Sequence, residues 1–535
     1  MPKRRQSIEI VAPTEGLKYD APASMIPLRA QPEGSNGKMY YGVNQKEFGT
    51  SLFATGTVSS LTVPINMIFD AKYPGGSVLE VITHTGAHKY TSGTDSYVSD
   101  GQTFTGTFTN FFNGVMYNEQ FFYTNGIDPI QVKTSVSATG TNMTSALNPT
   151  TYKAWAISGF REHLNLYHTI ENGTEFSKRV RWAKKGTLVL SAGTTDFASG
   201  TAGALDIPDC EGEIKTAVSL GVTEAVYAER SIHIQTWVGG DEIYRFTKTL
   251  SGIGTPSRRG VVSFGNVNYF IGHNNFYAYY GGDDLREVGD PIKSKAFFEI
   301  NNSQIATAFV EVDPQYNEVW FHVPINTDTM PSIVWVYRLE NESWSRLQRS
   351  QTAKGSTTRK TGLTIGELQG TIGDQNFTFG SFFLAEESEV QVYGDASGRV
   401  VKKDPSRYTI SSSGTSTSQS FVYATPDIVG LLPSKLSDPV DRDPIDYTTV
   451  FKRYTQFEFE ATGNGTATVF YSTDRGGTYT AFPQSPVTLL NTTTTYTLDL
   501  DVSSRQCRFK IECTGTNDFI GISYLKPEII VGATV

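Results

Sequence analysis

The feature of this 535-residue chain that most limits its fold is a unit of two short apolar runs flanking a tight turn, repeated along most of its length. VLEVITHTGAHKY turns near Gly86, and GVMYNEQFFYTNGIDPIQV carries Asn125-Gly126, a pair suited to the positive φ of a hairpin. HLNLYHTIENGTEFSKRVRW turns at Asn172-Gly173, EAVYAERSIHIQTWVGG at Arg230, and VNYFIGHNNFYAYYGGDD at Asn274. VEVDPQYNEVWFHVP turns at Gln315, IVWVYRLENESWSRL near Asn341 and EVQVYGDASGRVVKK at Ala396. The runs have period-two character, and long stretches at the helical period are hard to find. The turns recur about every 40 to 60 residues, the length that four strands and their loops require. One such sheet cannot cover both its apolar faces, whereas sheets packed radially cover one another, so the spacing predicts a β-propeller of about six to seven blades.

The propeller is expected over residues 61–403. Residues 1–60 are rich in Pro, Gly and polar side chains, and APASMIPLRAQPEGSNG reads as an extended N-terminal arm. Residues 404–446, with SSSGTSTSQS and then LLPSKLSDPVDRDP, read as a linker or blade-crossing segment. From 447 to 535, KRYTQFEFEA, TATVFYST, TTYTLDLD, RQCRFKIEC and GISYLKPEII have the spacing of a small β-sandwich. The composition agrees with an all-β chain: 50 Gly, 27 Tyr and 32 Phe, with only 19% charged residues, favour strands and turns.

A net charge of −9 argues against a protein that grips nucleic acid by bulk electrostatics. Three cysteines cannot make a disulfide framework, and Cys507 and Cys513, six apart in an extended run, sit about 20 Å from each other. Free thiols are expected at all three, Cys210 included. The basic start MPKRRQSIEI has no apolar segment behind it and no run approaches a membrane span, so folding in a cytoplasm without a membrane anchor is expected.

Residues with chemical potential are few. Ser472-Thr-Asp474-Arg-Gly476-Gly477-Thr478-Tyr479 resembles the Asp-box of sialidases and many other β proteins, with Tyr in place of Trp. Asp474 can accept backbone N–H bonds there, Gly476 can supply an unusual φ and Tyr479 can pack beneath, which makes the box a structural turn. Asp283 with Asp284, and Glu386 with Glu387, are adjacent acids at strand ends rather than a catalytic pair. His84 with His88 and His163 with His168 lack the companions of a metal site. No nucleophile elbow or phosphate loop is present, and Gly252 to Gly260 reads as a loop between blades. No catalytic residue, cofactor or metal is expected. Basic residues cluster at Lys3, Arg4 and Arg5; at Lys178, Arg179, Arg181, Lys184 and Lys185; at Arg258 and Arg259; and at Lys402 and Lys403. They read either as a solvated rim or as contacts to another subunit or to phosphates along a lumen. Alternation in SKRVRWAKK places Arg179 and Arg181 opposite Val180 and Trp182.

Four stretches in a consistent order carry a family likeness: TEGLKYDAPASMIP; FREHLNLYHTIENGTEFSKRVRWAKKG; the region from GTAGALDIPDCEGEIK to DDLREVGDPI; and IVWVYRLENESWSRL. In these the chain resembles the β-propeller tail proteins of short-tailed bacteriophages, known as tail nozzle, tail tubular or packaged-DNA stabilisation proteins. The resemblance implies a structural virion protein of the tail, assembled in the host cytoplasm as a homohexameric ring beneath the portal or adaptor ring. It would retain packaged DNA and serve as its exit channel, with tail fibres or other tail proteins as neighbours. The arm around Tyr19, Met25 and Arg29 would then contact adjoining chains, and Lys178 to Lys185 an interface or the lumen. The rival expectation, from the Asp-box and the aromatic content, is a glycan-binding or sialidase-like receptor-binding propeller; a scaffold propeller of cellular origin is the third.

Overall fold

The computed structural model describes residues 4–11, 15–40, 42–54, 63–92, 94–143, 152–188, 196–240, 242–360, 387–404, 406–412, 415–429 and 451–531. Within them the fold is an all-β propeller of seven four-stranded antiparallel sheets joined to a two-sheet sandwich. The first six blades are continuous in sequence, at 65–99, 113–142, 152–206, 214–251, 261–287 and 309–348. In each, the first strand lies innermost and faces the first strands of its neighbours. The second strand is covered on both sides, so burial is nearly unbroken along strands such as His163–Glu171 and Glu318–Val323 rather than alternating. Fourth strands such as Gly203–Asp206 are largely exposed.

Seven apolar clusters, one at each boundary between adjacent blades, hold the ring together. Phe121 and Tyr123 pack with Ile82 between blades one and two; Leu164 and Leu166 with Phe122 between two and three; Tyr167 and Val180 with Val226 between three and four. Tyr227 meets Phe270 between four and five, Phe276 meets Phe321 and Trp335 between five and six, and Trp320 meets Tyr393 and Val401 between six and seven. The last cluster sets Ile65, Ile68 and Val81 against Ala353 and Val392 and closes seven on one. Each such fully buried large side chain stabilises the ring by about 1.5–3 kcal/mol, so the closing boundary counts as much as any other.

The ends of the chain are woven more deeply than the expected division at residues 60 and 447. Residues 1–60, expected as an extended arm, supply strands to three sheets. Gly49–Leu52 pairs with Val400–Asp404 and becomes the outermost strand of blade seven. Gly37–Tyr40 and Val43–Lys46 extend one sandwich sheet along Phe519–Val531, and Glu33–Ser35 extends the other along Phe421–Ala424. Arg4–Ser7 and Ile10–Val11 also pair with that last strand. Segment 404–446 holds a hairpin, Thr409–Ser412 with Thr415–Ser418, and the sandwich strand Phe421–Ala424; residues 430–446 lie outside the described set. Short strands with partners hundreds of residues away leave no local signature, which is why the arm looked unpaired.

Closure needs a glycine. Gly49 passes so close to the hairpin that a Cβ there would stand 2.1 Å from the carbonyl oxygen of Thr409, a backbone atom that cannot swing aside. Gly49→Val is expected to cost about 2 kcal/mol or more through overpacking. In hydrogen exchange, amides of Val401 to Asp404 should lose protection before those of blade four; equal protection loss in both would contradict the role of this strand as the latch.

Candidate functional site

The basic cluster of blade three is geometrically coherent and electrostatically spent. Val180 and Trp182 are buried in the boundary with blade four, and Arg179 and Arg181 leave from the opposite face. Both arginines reach Glu171 on the adjacent strand, Arg181 through two bonds of 2.9 Å and Arg179 at 3.3 Å, and Arg179 also forks onto Asp206. Arg179 lies 3.5 Å over the ring of Phe176 and Arg181 4.9 Å over Tyr152. Hydrogen bonding to Asp206 and the charge of Glu171 raise the pKa of Arg179, and hydrogen bonding to Arg179 lowers that of Asp206. Lys184 pairs with Asp196 at 2.6 Å and Lys185 with Glu162 at 3.0 Å, while Lys178 donates to the Cys210 carbonyl. Every cation of the cluster therefore has an acceptor within its own blade or at the next boundary.

The other basic pairs diverge. Lys403, expected on a rim or interface, is buried: it lies 3.4 Å from Glu47 and 3.5 Å from Asp313, with its ammonium 3.9 Å over Tyr316. Lys38 joins the same cluster, bonding Glu318 at 2.5 Å and Glu47 at 2.9 Å, and Arg349 approaches Glu47 at 3.8 Å. Three cations thus meet three carboxylates around Trp320, whose indole N–H donates to Glu318. Burial pushes Lys403 down, whereas the surrounding carboxylates outweigh burial and raise Lys38. Lys3 lies outside the described residues, as does Glu386.

Arg258 and Arg259 form the hub of the propeller. Arg259, at the entry to blade five, donates to the carbonyls of Asn66 in blade one, Thr307 at the entry to blade six and Thr352 at the entry to blade seven. Its guanidinium is clasped between Phe111, at the entry to blade two, and Phe309. Arg258 turns the other way and stacks 3.3 Å over Trp155 of blade three, 3.8 Å from Glu213 at the entry to blade four. A side chain can reach so many blades only near the axis, so two consecutive residues touch all seven at this end of the ring, beside a cavity of about 220 Å3 lined by Phe111, Glu213, Lys215 and Arg258. Burial pushes Arg259 down to about 9 and Arg258 to about 10, in each case against nearby glutamates, so both stay charged at neutral pH.

In the arm, Tyr19 bonds the Pro291 carbonyl and meets Trp335 edge-on, which seats it on blade six. Met25 is 77% exposed and Arg29 is exposed too. In the Asp-box, Ser472 donates to Asp474, whose carboxylate accepts from the backbone and hydroxyl of Thr478, and Gly476 adopts φ +83°. These bonds hold the Asp474 carboxyl well below its usual range. Tyr479 bonds Glu33 and carries Lys510 on its ring, pinning the hairpin to an N-terminal strand. Cys210, Cys507 and Cys513 are buried free thiols, and burial raises all three.

His163, His168, His233 and His322 are buried: His163 bonds the Ala183 carbonyl, His168 bonds Glu175, His233 bonds Ser231, and His322 lies 2.7 Å from Glu311. Among the described residues no group of three or more His, Cys, Asp or Glu is arranged to hold a metal ion. Asp283 and Asp284 lie exposed in a turn of blade five.

Comparison with known proteins adds a likeness of fold. No family model matches the chain, and no curated protein does. Solved structures do. A B. thetaiotaomicron extracellular domain assigned to a hybrid two component system aligns over 68% of this chain and 40% of its own length, at 8% identity and a TM-score of 0.39. The Neurospora crassa Pan2 WD40 domain aligns over 68% of this chain and 97% of its own, at 8% identity and a TM-score of 0.37. A chain of the Mitotic Checkpoint Complex aligns over 67% and 93%, at 9% identity and a TM-score of 0.36.

Two outcomes follow. Arg259→Met strands three buried carbonyls and should lower stability by about 3 kcal/mol, read as a shift of the urea midpoint, with Arg259→Lys intermediate; an unchanged midpoint for Met would refute the hub. Second, Lys133 serves both Glu80, at 2.6 Å, and Asp100, at 2.5 Å, in a fully buried site, and Glu80 keeps one oxygen unbonded. Burial, only partly offset by Lys133, pushes Glu80 up to about 7. A raised acid stabilises the fold fully below its unfolded pKa and loses that contribution as pH rises through the folded one. Stability should therefore fall as pH rises from about 5 to about 7 by an amount on the order of 2 kcal/mol, read as a falling melting temperature, and Glu80→Gln should flatten that slope.

Proposed function

We propose that this protein is a structural, non-enzymatic component of a short-tailed bacteriophage tail. Copies form a homohexameric ring, a nozzle beneath the portal or adaptor, that retains packaged DNA and then conducts it outward. The observation that carries the reading is the arginine hub at the propeller axis. Arg258 and Arg259 span the axis there and touch all seven blades, which supports placing the conduit between copies of the chain rather than through one of them. Support also comes from the ordered resemblance of four segments to that family. The binding of propeller and sandwich through both chain ends makes the subunit a stiff building block, as a pressurised wall requires.

The charge pattern fits a channel that does not hold its cargo. Binding to DNA strengthens with each phosphate neutralised, yet the cations of the largest cluster are already occupied by Glu171, Asp206, Asp196 and Glu162. Six copies of a chain of charge −9 would carry roughly −54 and repel DNA from most of the wall. DNA is then a passenger in transit, and the lasting partners are other copies, the adaptor ring and tail fibres or other tail proteins.

Native mass spectrometry and negative-stain imaging of the purified chain, alone and with its adaptor, test the proposal. Rings of six are the expected result. Monomers only, with the adaptor present, would overturn it.

A further inference from the structure

One cavity lies away from the axis, on the rim between blades one and two. It is a groove of about 610 Å3, within the size range of small-molecule sites, bounded by the linker that joins those blades and by the outer strands of blade two. Gln102, Phe104, Asp128, Gln131, Gly140 and Asn142 supply most of its wall.

Its hydrogen bonds have a direction. Burial and the nearby charges of Glu80 and Asp100 hold Tyr123 well above the usual phenol range, so its hydroxyl stays protonated, and it donates to Gln102 Oε1. Gln102 must then turn its amide N–H to Gln131, which accepts at 2.7 Å. Gln131 in turn donates to Asn142 Oδ1 at 2.6 Å and to the Pro129 carbonyl at 2.7 Å. The relay engages Asn142 through its oxygen, and among the described residues no hydrogen bond occupies the amide nitrogen of this exposed side chain. Gly140 keeps the floor open: a Cβ there would stand 2.3 Å from the Gln102 amide nitrogen and 2.6 Å from the Tyr123 hydroxyl. Half-buried Phe104, backed by Phe112 and Tyr123, offers a flat apolar face beside these donors.

This chemistry selects its ligand. No lysine or arginine is among the described residues lining the groove, and buried Asp128, fixed by Thr105 and Asn125, places a negative charge in the wall. A phosphate or carboxylate would be repelled, and an apolar ligand would strand the amides. We infer that the groove is a binding site for a neutral oligosaccharide, with one pyranose stacked on Phe104 and its hydroxyls on the amides of Gln102 and Asn142. The site is independent of ring assembly, so either reading can fail without the other.

Saturation-transfer NMR on the full chain, with maltotetraose, chitotetraose and β-1,4-galactotetraose as probes and a heparin tetrasaccharide as the anionic counterpart, tests it. At least one neutral probe should bind and the heparin fragment should not. Asn142→Asp keeps the shape but replaces the amide donors by a charged acceptor, and Phe104→Leu keeps apolar volume but removes the flat ring. Each should weaken binding about tenfold or more while the melting temperature stays near that of the parent. Absence of transfer from all three neutral probes, tighter binding of heparin, or equal binding by both folded variants would each overturn the inference.

Discussion

The structure depends on one seam. A propeller assembled from a linear chain must join its last sheet to its first, and here Gly49–Leu52, from before the first blade, completes the seventh. The seam is reinforced by burial of charge. Lys38 and Glu47 from the N-terminal strands, Asp313 and Glu318 from blade six, and Arg349 and Lys403 around blade seven balance one another about Trp320. Such a cluster adds little net stability over an apolar one, yet removing any member leaves an uncompensated charge at a cost of about 3–5 kcal/mol. It acts as a register pin: strands that meet out of place leave ions without partners.

The same N-terminal residues tie the propeller to the sandwich. Glu33–Ser35 and Gly37–Lys46 lie in its two sheets immediately before the latch strand, and Lys46 donates to the Asp518 carbonyl. Opening the seam therefore disturbs the sandwich, and melting the sandwich frees the latch. The arginine hub adds a second constraint at the axis, where one guanidinium satisfies carbonyls from three blades. The ring is thus tied at the rim by a borrowed strand and at the centre by a side chain.

The period of the hairpins was legible because each blade is local: its strands are sequential and their turns carry Asn-Gly pairs such as Asn172-Gly173, at φ +50° and +82°. The face assignment of Arg179 and Arg181 followed from strand alternation alone. Their partners did not, because Asp206 is opposed to Arg179 only by cross-strand register and Glu171, opposite Thr174, is reached along the sheet by the long guanidinium side chains. Arg258 and Arg259 drew notice as a charge pair, but their position over the axis comes from ring closure. The groove beside Gln102 went unread because amides and one phenylalanine spread over some 40 residues make no motif.

By itself the sequence determined the all-β class, the repeat length that makes a propeller and the turn chemistry at each hairpin, since these are properties of residues near one another in the chain. Only the tertiary structure decided that there are seven blades, that residues 1–60 supply paired strands, that the blade-three cations meet acceptors of the fold itself, and that two arginines touch all seven blades. Those outcomes depend on contacts between residues up to several hundred positions apart, and such contacts exist only once the ring has closed.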